Sequence, residues 1–287
     1  MRILVTGKNG QLGKSINSIV NQNSQDNEFI FIGQKDLDFS KKNGITNYFE
    51  NNYFDIFINC AAFTDVDKAE EERVLADKIN HVAVEELAKV VIKQNAKLIH
   101  ISTDYVFDGE GTKLYKETDI TNPINVYGKT KLAGEQVVQK IMKTNAIILR
   151  TSWLYSKYGN NFVITMLRLG KELDELSIVN DQIGSPTCAD DLARLILEII
   201  VNKKFFKKNQ TTQIYHFSNI GECSWYEFAN EIFKLANIKC KTIPISSYQY
   251  QKPARRPKMS LMSKNKITKI SGFKNNDWKT SLSNYFK

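Results

Sequence analysis

Cysteine is scarce in this chain of 287 residues: four are present, Cys60, Cys188, Cys223 and Cys240, far apart and without a CxxC spacing. That spacing supports neither a disulfide framework nor a zinc site, and a reducing cytoplasm suits it. No long hydrophobic run is present either. The longest apolar stretch, residues 54–63, is interrupted by Asp55 and Asn59, and it falls short of the ~20 residues that cross a bilayer. No membrane span is expected. Met1-Arg2-Ile3-Leu4-Val5-Thr6-Gly7 lacks both a long apolar core and a small-residue cleavage site, so it reads as the start of a strand rather than a signal peptide. Internal repeats and low-complexity tracts are also missing.

What is there is the composition of a folded protein. Hydrophobic residues make up 42% and charged residues 25%, near globular averages, which excludes a disordered or fibrous chain. At ~150 residues per domain the length allows about two domains or one large one. Lys and Arg number 40 against 31 Asp and Glu, a net +9, which fits either a nucleic-acid binder or an enzyme whose ligands are anionic. Part of the excess lies after Pro253, in Arg255-Arg256-Pro257-Lys258 and the lysines that follow. Aromatic residues are not interleaved there as a stacking platform needs, so nucleic acid is not the expected partner.

Short β-branched runs at residues 3–6, 29–32, 55–59, 97–102 and 146–150 alternate with amphipathic stretches. That alternation predicts an α/β protein, a Rossmann-type doubly wound parallel sheet. Val74, Leu75, Ile79, Val82, Leu87, Val90 and Val91 recur at helical spacing and predict one long crossover helix between the third and fourth strands. After Arg150 the regular winding ends. Helices are expected near 161–173, 189–201 and 224–236, a strand at 214–217, and a solvated loop at 202–212. The domain reading is 1–155 as the dinucleotide-binding domain with 176–203 returning to it, and 156–175 with 213–287 as a smaller C-terminal substrate-binding lobe.

Gly7, Gly10 and Gly13 directly follow the first strand and open the first helix. Glycines there permit a tight turn and let the backbone approach a pyrophosphate, which the helix N-terminus then binds through its free N–H groups; an ordinary strand-to-helix turn is the plainer alternative. After the second strand comes Gly33-Gln34-Lys35 rather than a carboxylate, which leans towards NADP, although Asp36 and Asp38 follow closely. The fourth strand ends in Ser102-Thr103-Asp104-Tyr105, and Tyr127 and Lys131 stand four residues apart at the start of a later helix. They share one helix face. An ammonium beside a phenol lowers its pKa towards neutrality, so this spacing predicts that Lys131 tunes Tyr127, with the Thr103 hydroxyl at the same oxygen.

With these motifs in place the chain resembles the extended short-chain dehydrogenase/reductases, nearly end to end. The likeness rests on Gly7 to Gly13, Ala61-Ala62-Phe63-Thr64-Asp65-Val66-Asp67-Lys68-Ala69-Glu70, Ser102-Thr103-Asp104-Tyr105-Val106-Phe107, Tyr127-Gly128-Lys129-Thr130-Lys131-Leu132-Ala133-Gly134-Glu135, Arg150-Thr151-Ser152-Trp153, Gly159-Asn160-Asn161-Phe162 and Ala254-Arg255-Arg256-Pro257. The glycine turn and YxxxK mark the superfamily; the TDYVF, RTSW and ARRP segments are more specific, and point to its nucleotide-sugar ketoreductases. The resemblance implies NAD(P)H-dependent reduction of the 4-keto group of a dTDP-linked 6-deoxy-hexulose to dTDP-L-rhamnose, with NADPH as cofactor and NADH as the alternative. It implies Tyr127 as proton donor, Lys131 on the cofactor ribose, and Thr103 at the carbonyl. Cofactor contacts are implied at Gly7, Gly10, Gln11, Leu12, Gly13, Asp38, Phe39, Ala61, Ala62 and Phe63. Substrate contacts are implied at Thr103, Asp104 and Trp153, and read at Arg255 and Arg256, whose guanidinium forks match diphosphate oxygens. Trp153 as a core residue and the two arginines as structural ion pairs remain open. Some relatives dimerise around a glutamate-held metal, one ligand just after the glycine turn; here Lys14 and Ser15 stand there, so no metal is expected, while a homodimer stays open.

Two rivals use the same residues. A dehydratase or epimerase would share Tyr127 and Lys131, but a dehydratase needs an acid beside Asp104, where Tyr105 stands. A non-catalytic NADP-binding subunit would not need Thr103, Tyr127 and Lys131 intact.

Overall fold

The computed structural model describes residues 1–22, 27–206 and 211–287. Five strands, β1 (Arg2–Thr6), β2 (Glu28–Ile32), β3 (Ile56–Asn59), β4 (Lys97–Thr103) and β5 (Ala146–Thr151), pair in parallel in the spatial order β2-β1-β3-β4-β5. Their dense Ile, Leu, Val and Phe content is that of strands covered on both faces. Leu4 joins a layer with Val84, Leu87 and Val91, while Ile3 and Val5 join the opposite layer with Ile16, Leu192 and Ile196. Successive side chains of one strand thus feed two cores, and a three-layer sandwich follows. Each fully buried aliphatic among them contributes ~1.5–3 kcal/mol.

The strand Gln213–His216, which the sequence reading gave to the smaller lobe, is instead the edge of this sheet, parallel to β5. In turn Glu175–Val179 leaves the sheet domain and pairs with Lys241–Ile245. This second lobe has its own core of Tyr155, Val163, Phe228, Ile232, Trp278 and Leu282. Of the loop expected at 202–212, residues 207–210 lie outside the described residues.

The long crossover helix expected from the spacing is present as one continuous helical run, Arg73–Asp77, Lys78–Val82 and Ala83–Lys93, preceded across Glu72 by the short helix Val66–Glu71; its segment Lys78–Val82 is a π-helical turn. Apolar periodicity alone could not show that turn, and Val74 turns out to be 83% exposed. The π turn sits where the crossover meets the helix Val126–Met142, so closely that a Cβ on Gly134 would lie 2.3 Å from the Asn80 carbonyl oxygen. It also turns the buried Asn80 side chain onto the backbone of Phe63, accepting from its N–H at 2.8 Å and donating to its carbonyl at 3.0 Å. No helix among the described residues is long and apolar enough to cross a membrane.

Candidate active site

β1 is flanked by β2 on one side and β3 on the other, so the direction of winding reverses there, and ligands of such sheets bind beyond the carboxyl ends of the strands at that reversal. A cleft of about 1080 Å³ opens at this place, between the sheet and the second lobe. Its floor is the glycine turn. Gly7 has φ +72°, and a Cβ there would lie 2.8 Å from the Cys60 carbonyl and the Ala61 nitrogen. A Cβ on Gly13 would come within 2.3 Å of the Gly7 oxygen. Only glycine fits either place, and the result is bare backbone at the N-terminus of the helix Gln11–Gln22, a cradle suited to a diphosphate. Gly10, Gln11, Leu12, Ala61 and Ala62 line it.

The other cofactor candidates divide. Asp38 and Phe39 line the cleft; the Ser40 N–H and hydroxyl donate to Asp38 Oδ1 at 2.9 and 2.7 Å and hold its carboxyl below the usual range. Phe63 does not line the cleft; Asn80 fixes its backbone. The Gln11 side chain is engaged across the lobes, donating to the Leu154 carbonyl at 3.3 Å and accepting from Ser156 and Asn161 at 3.0 Å each. Lys35, which carried the lean towards NADP, is exposed and off the cleft wall, where Gln34 stands instead.

Thr103, Tyr127 and Lys131 meet above the cradle. Thr103 ends β4, and its hydroxyl accepts from the Tyr105 N–H at 3.2 Å and donates to Asp104 Oδ1 at 3.0 Å. Tyr127 lies in the first turn of the helix Val126–Met142, which Asn125 caps by accepting from the Gly128 N–H at 2.8 Å. Gly128 lets that turn close on the preceding loop, since a Cβ there would lie 2.2 Å from the Tyr105 carbonyl. Burial pushes the Tyr127 phenol up to about 12, opposed by a hydrogen bond with Thr103. The expected tuning by Lys131 is therefore not what the fold builds. Lys131 Nζ donates to the Ile101 carbonyl at 2.6 Å, and burial lowers its pKa to about 8. One shared helix face brought the two side chains to one wall of the cleft without pairing them.

Burial also raises Asp104 to about 6; it is 2% exposed and its Oδ2 has no hydrogen bond among the described residues. Trp153 lines the cleft with φ +47°, a rare conformation for a bulky residue, and stacks on Trp225 with ring centroids 3.4 Å apart. The two arginines separate. Arg256 lines the cleft, paired with Asp67 at 2.7 Å, whereas Arg255 is exposed and contributes its carbonyl to the Asn125 side chain at 2.8 Å. Sequence reasoning missed Asn125, Asp67, Asn80 and Trp225 as site residues. An Asn just before a helical run is a capping signal and could have disclosed the first; the others depend on contacts between distant segments.

The sheet order, the glycine cradle and the Thr103, Tyr127 and Lys131 set define a Rossmann-type oxidoreductase of the short-chain dehydrogenase/reductase class. The profile described as RmlD substrate binding domain matches residues 1–287. The dTDP-4-dehydrorhamnose reductase of Aggregatibacter actinomycetemcomitans is 39% identical over 99% of this chain and 97% of its own. Among solved structures, that of a Clostridium acetobutylicum dTDP-4-dehydrorhamnose reductase superposes with a TM-score of 0.91 at 41% identity, covering 99% of this chain and 98% of that one. The Bacillus anthracis dTDP-4-dehydrorhamnose reductase, solved in complex with NADP, gives 0.91 at 42% identity with the same coverage. The chain belongs to the RmlD family, that of the dTDP-4-dehydrorhamnose reductases.

Proposed function

We propose that this protein reduces the 4-keto group of dTDP-4-dehydro-6-deoxy-L-mannose to dTDP-L-rhamnose, with NADPH as reductant and NADH as the alternative. The observation that carries the reading is the convergence of Thr103, Tyr127 and Lys131 over a glycine cradle that no Cβ could enter, in a chain that matches dTDP-4-dehydrorhamnose reductases over its full length.

When bound, the dinucleotide supplies a hydride to the sugar carbonyl carbon. Gly7, Gly10, Gly13 and the first turn of the following helix hold its diphosphate, Ala61 and Ala62 let it lie against the backbone, and Lys131 binds its ribose. A phenol held near 12 is fully protonated at neutral pH, so Tyr127 stands as the acid that gives its proton to the carbonyl oxygen as charge develops there. Thr103 orients that oxygen. The lobe built on Tyr155, Val163, Phe228, Ile232, Trp278 and Leu282 receives the sugar nucleotide, with Trp153 beside the hexose and Arg256 on the diphosphate.

A dehydratase reading needs a carboxylic acid beside Asp104, and the residue there is Tyr105, half-buried and packed edge-on against Tyr127. The test is a panel of nucleotide-linked 4-keto-6-deoxy sugars incubated with NADPH or NADH, with products identified. One equivalent of reduced cofactor consumed per dTDP-L-rhamnose formed is expected; isomerised sugar with no net cofactor consumption would overturn the assignment.

A further inference from the structure

Lys131 sits in a wall of uncharged groups. Cys60 at the end of β3 keeps its proton, because burial pushes its thiol up to about 12. His100 on β4 is neutral, its pKa pressed well below the ordinary histidine value by burial and by Lys131 itself. Tyr127 on the same helix is a protonated phenol. The Ile101 carbonyl accepts from the ammonium but carries no charge. Among the described groups that act on Lys131, the only carboxylate is Glu135, one helical turn further on and 1% exposed.

Glu135 is itself held. Arg150, on β5 and 2% exposed, forks its carboxylate, Nε to Oε1 at 2.8 Å and Nη2 to Oε2 at 2.6 Å. Behind the fork, Arg150 Nη1 lies 3.4 Å from His216 Nε2 and its guanidinium sits 5.1 Å from the Phe107 ring centre. Ion pairs this deeply buried seldom add stability over an apolar replacement of the same size, because desolvation consumes the Coulombic gain. Their position is then the informative feature, and this one is placed beside a buried ammonium that the proposed reaction requires.

We propose that Glu135, locked by Arg150, is a positioning residue that keeps Lys131 charged and in place on the cleft wall, so that cofactor affinity persists to higher pH than a lone buried lysine would allow. The inference rests on the cofactor role of Lys131 under the proposed function. Glu135 touches neither cofactor nor substrate and acts only through Lys131. The two members of the pair act on the ammonium with opposite sign: removing the carboxylate makes Lys131 easier to deprotonate, and removing the guanidinium leaves an unneutralised carboxylate that makes it harder.

The test is NADPH binding to the full chain, followed by cofactor fluorescence from pH 6 to 9.5, with thermal melts alongside. Wild-type affinity is expected to fall as Lys131 loses its proton. In Glu135→Gln the fall is expected about one pH unit earlier, with affinity at pH 6 within about twofold of wild type. In Arg150→Met it moves to higher pH, and in the double variant, which removes both charges of the pair, it lies between the two. A lower melting temperature with the alkaline fall unmoved would overturn the proposal and leave the pair a structural one. If a single variant does not fold, the double variant and the other single decide by the same displacement. Absence of NADPH binding in the wild type would instead overturn the reading on which the proposal rests.

Discussion

Arg256 and Asp67 meet at the cleft, Nη2 to Oδ2 at 2.7 Å, although 189 residues separate them in sequence. Asp67 also accepts from the Ala254 N–H at 3.2 Å, and Arg256 Nη1 donates to the Ala254 carbonyl at 2.9 Å. One carboxylate from the crossover thus anchors the C-terminal basic segment against the sheet domain and presents a guanidinium to the cleft. Arg256 is in this way both a structural ion pair and a candidate for the nucleotide diphosphate, the two readings left open by the sequence.

The first prediction follows from that arrangement. Arg256→Ala is expected to raise the Michaelis constant for the dTDP-sugar by about tenfold or more, a lost charge-assisted fork being worth roughly 1.5–3 kcal/mol. Arg255→Ala should stay within about twofold, since its side chain faces solvent. The Arg256–Asp67 pair is partly exposed, so its loss should lower stability by at most ~1 kcal/mol, a few degrees in melting temperature. Steady-state kinetics with melting curves separate these effects; a large drop in melting temperature with unchanged substrate affinity would return Arg256 to the scaffold.

Tyr127→Phe is expected to retain cofactor binding and lose ~10²–10⁴-fold in turnover, the usual contribution of a positioned proton donor. Thr103 and Asp104 keep their mutual hydrogen bond in that variant, so the fold should be unaffected. Wild-type turnover in the Phe variant, measured by NADPH consumption, would remove Tyr127 from the chemistry.

The parallel sheet was legible because strands such as β1, β3 and β5 are short, mainly apolar runs buried on both faces, and because the glycine turn follows the first of them directly. Thr103, Tyr127 and Lys131 were legible from local spacing. Their electrostatic relationship was not, because the Lys131 ammonium goes to the Ile101 carbonyl on a neighbouring strand and burial dominates both pKa values. Domain boundaries failed for a similar reason. Gln213–His216 and Glu175–Val179 are short runs whose partners, β5 and Lys241–Ile245, lie more than 60 residues away in sequence.

The position of Lys35 bears on cofactor choice. It is exposed and off the cleft, while the neighbouring Asp36 accepts from Lys8 at 2.5 Å and from the Gly33 N–H at 2.8 Å. Lys35→Ala is therefore expected to change the ratio of NADPH to NADH specificity constants by less than about twofold, under 0.5 kcal/mol. NADPH should still be used at least as well as NADH. A tenfold preference for NADH in the wild type would refute this, and a large effect of Lys35→Ala would place its ammonium on the cofactor.

Asp104 gives the last prediction, in which the sign matters. Its carboxyl titrates near 6 in the fold, because burial penalises the charged form, against an ordinary value of 3.8. Between these two values the folded chain holds more protons than the unfolded one, so stability falls as pH rises through the window. Below pH 3.8 both states are protonated and Asp104 costs nothing; above about 6 the full penalty is present, on the order of 2–3 kcal/mol for a shift of this size. Asp104→Asn removes the titration while keeping the shape. Whatever constant offset its new N–H groups introduce, the stability of the variant minus that of wild type should grow by on the order of 2 kcal/mol between pH 4 and pH 8, all of it across the interval from about 4 to 6. Paired denaturant melts over this range measure the difference directly. A difference that is flat with pH would mean that Asp104 is solvated or paired as an ordinary carboxylate, and a difference that shrinks with rising pH would mean that a cation of the C-terminal lobe holds it charged.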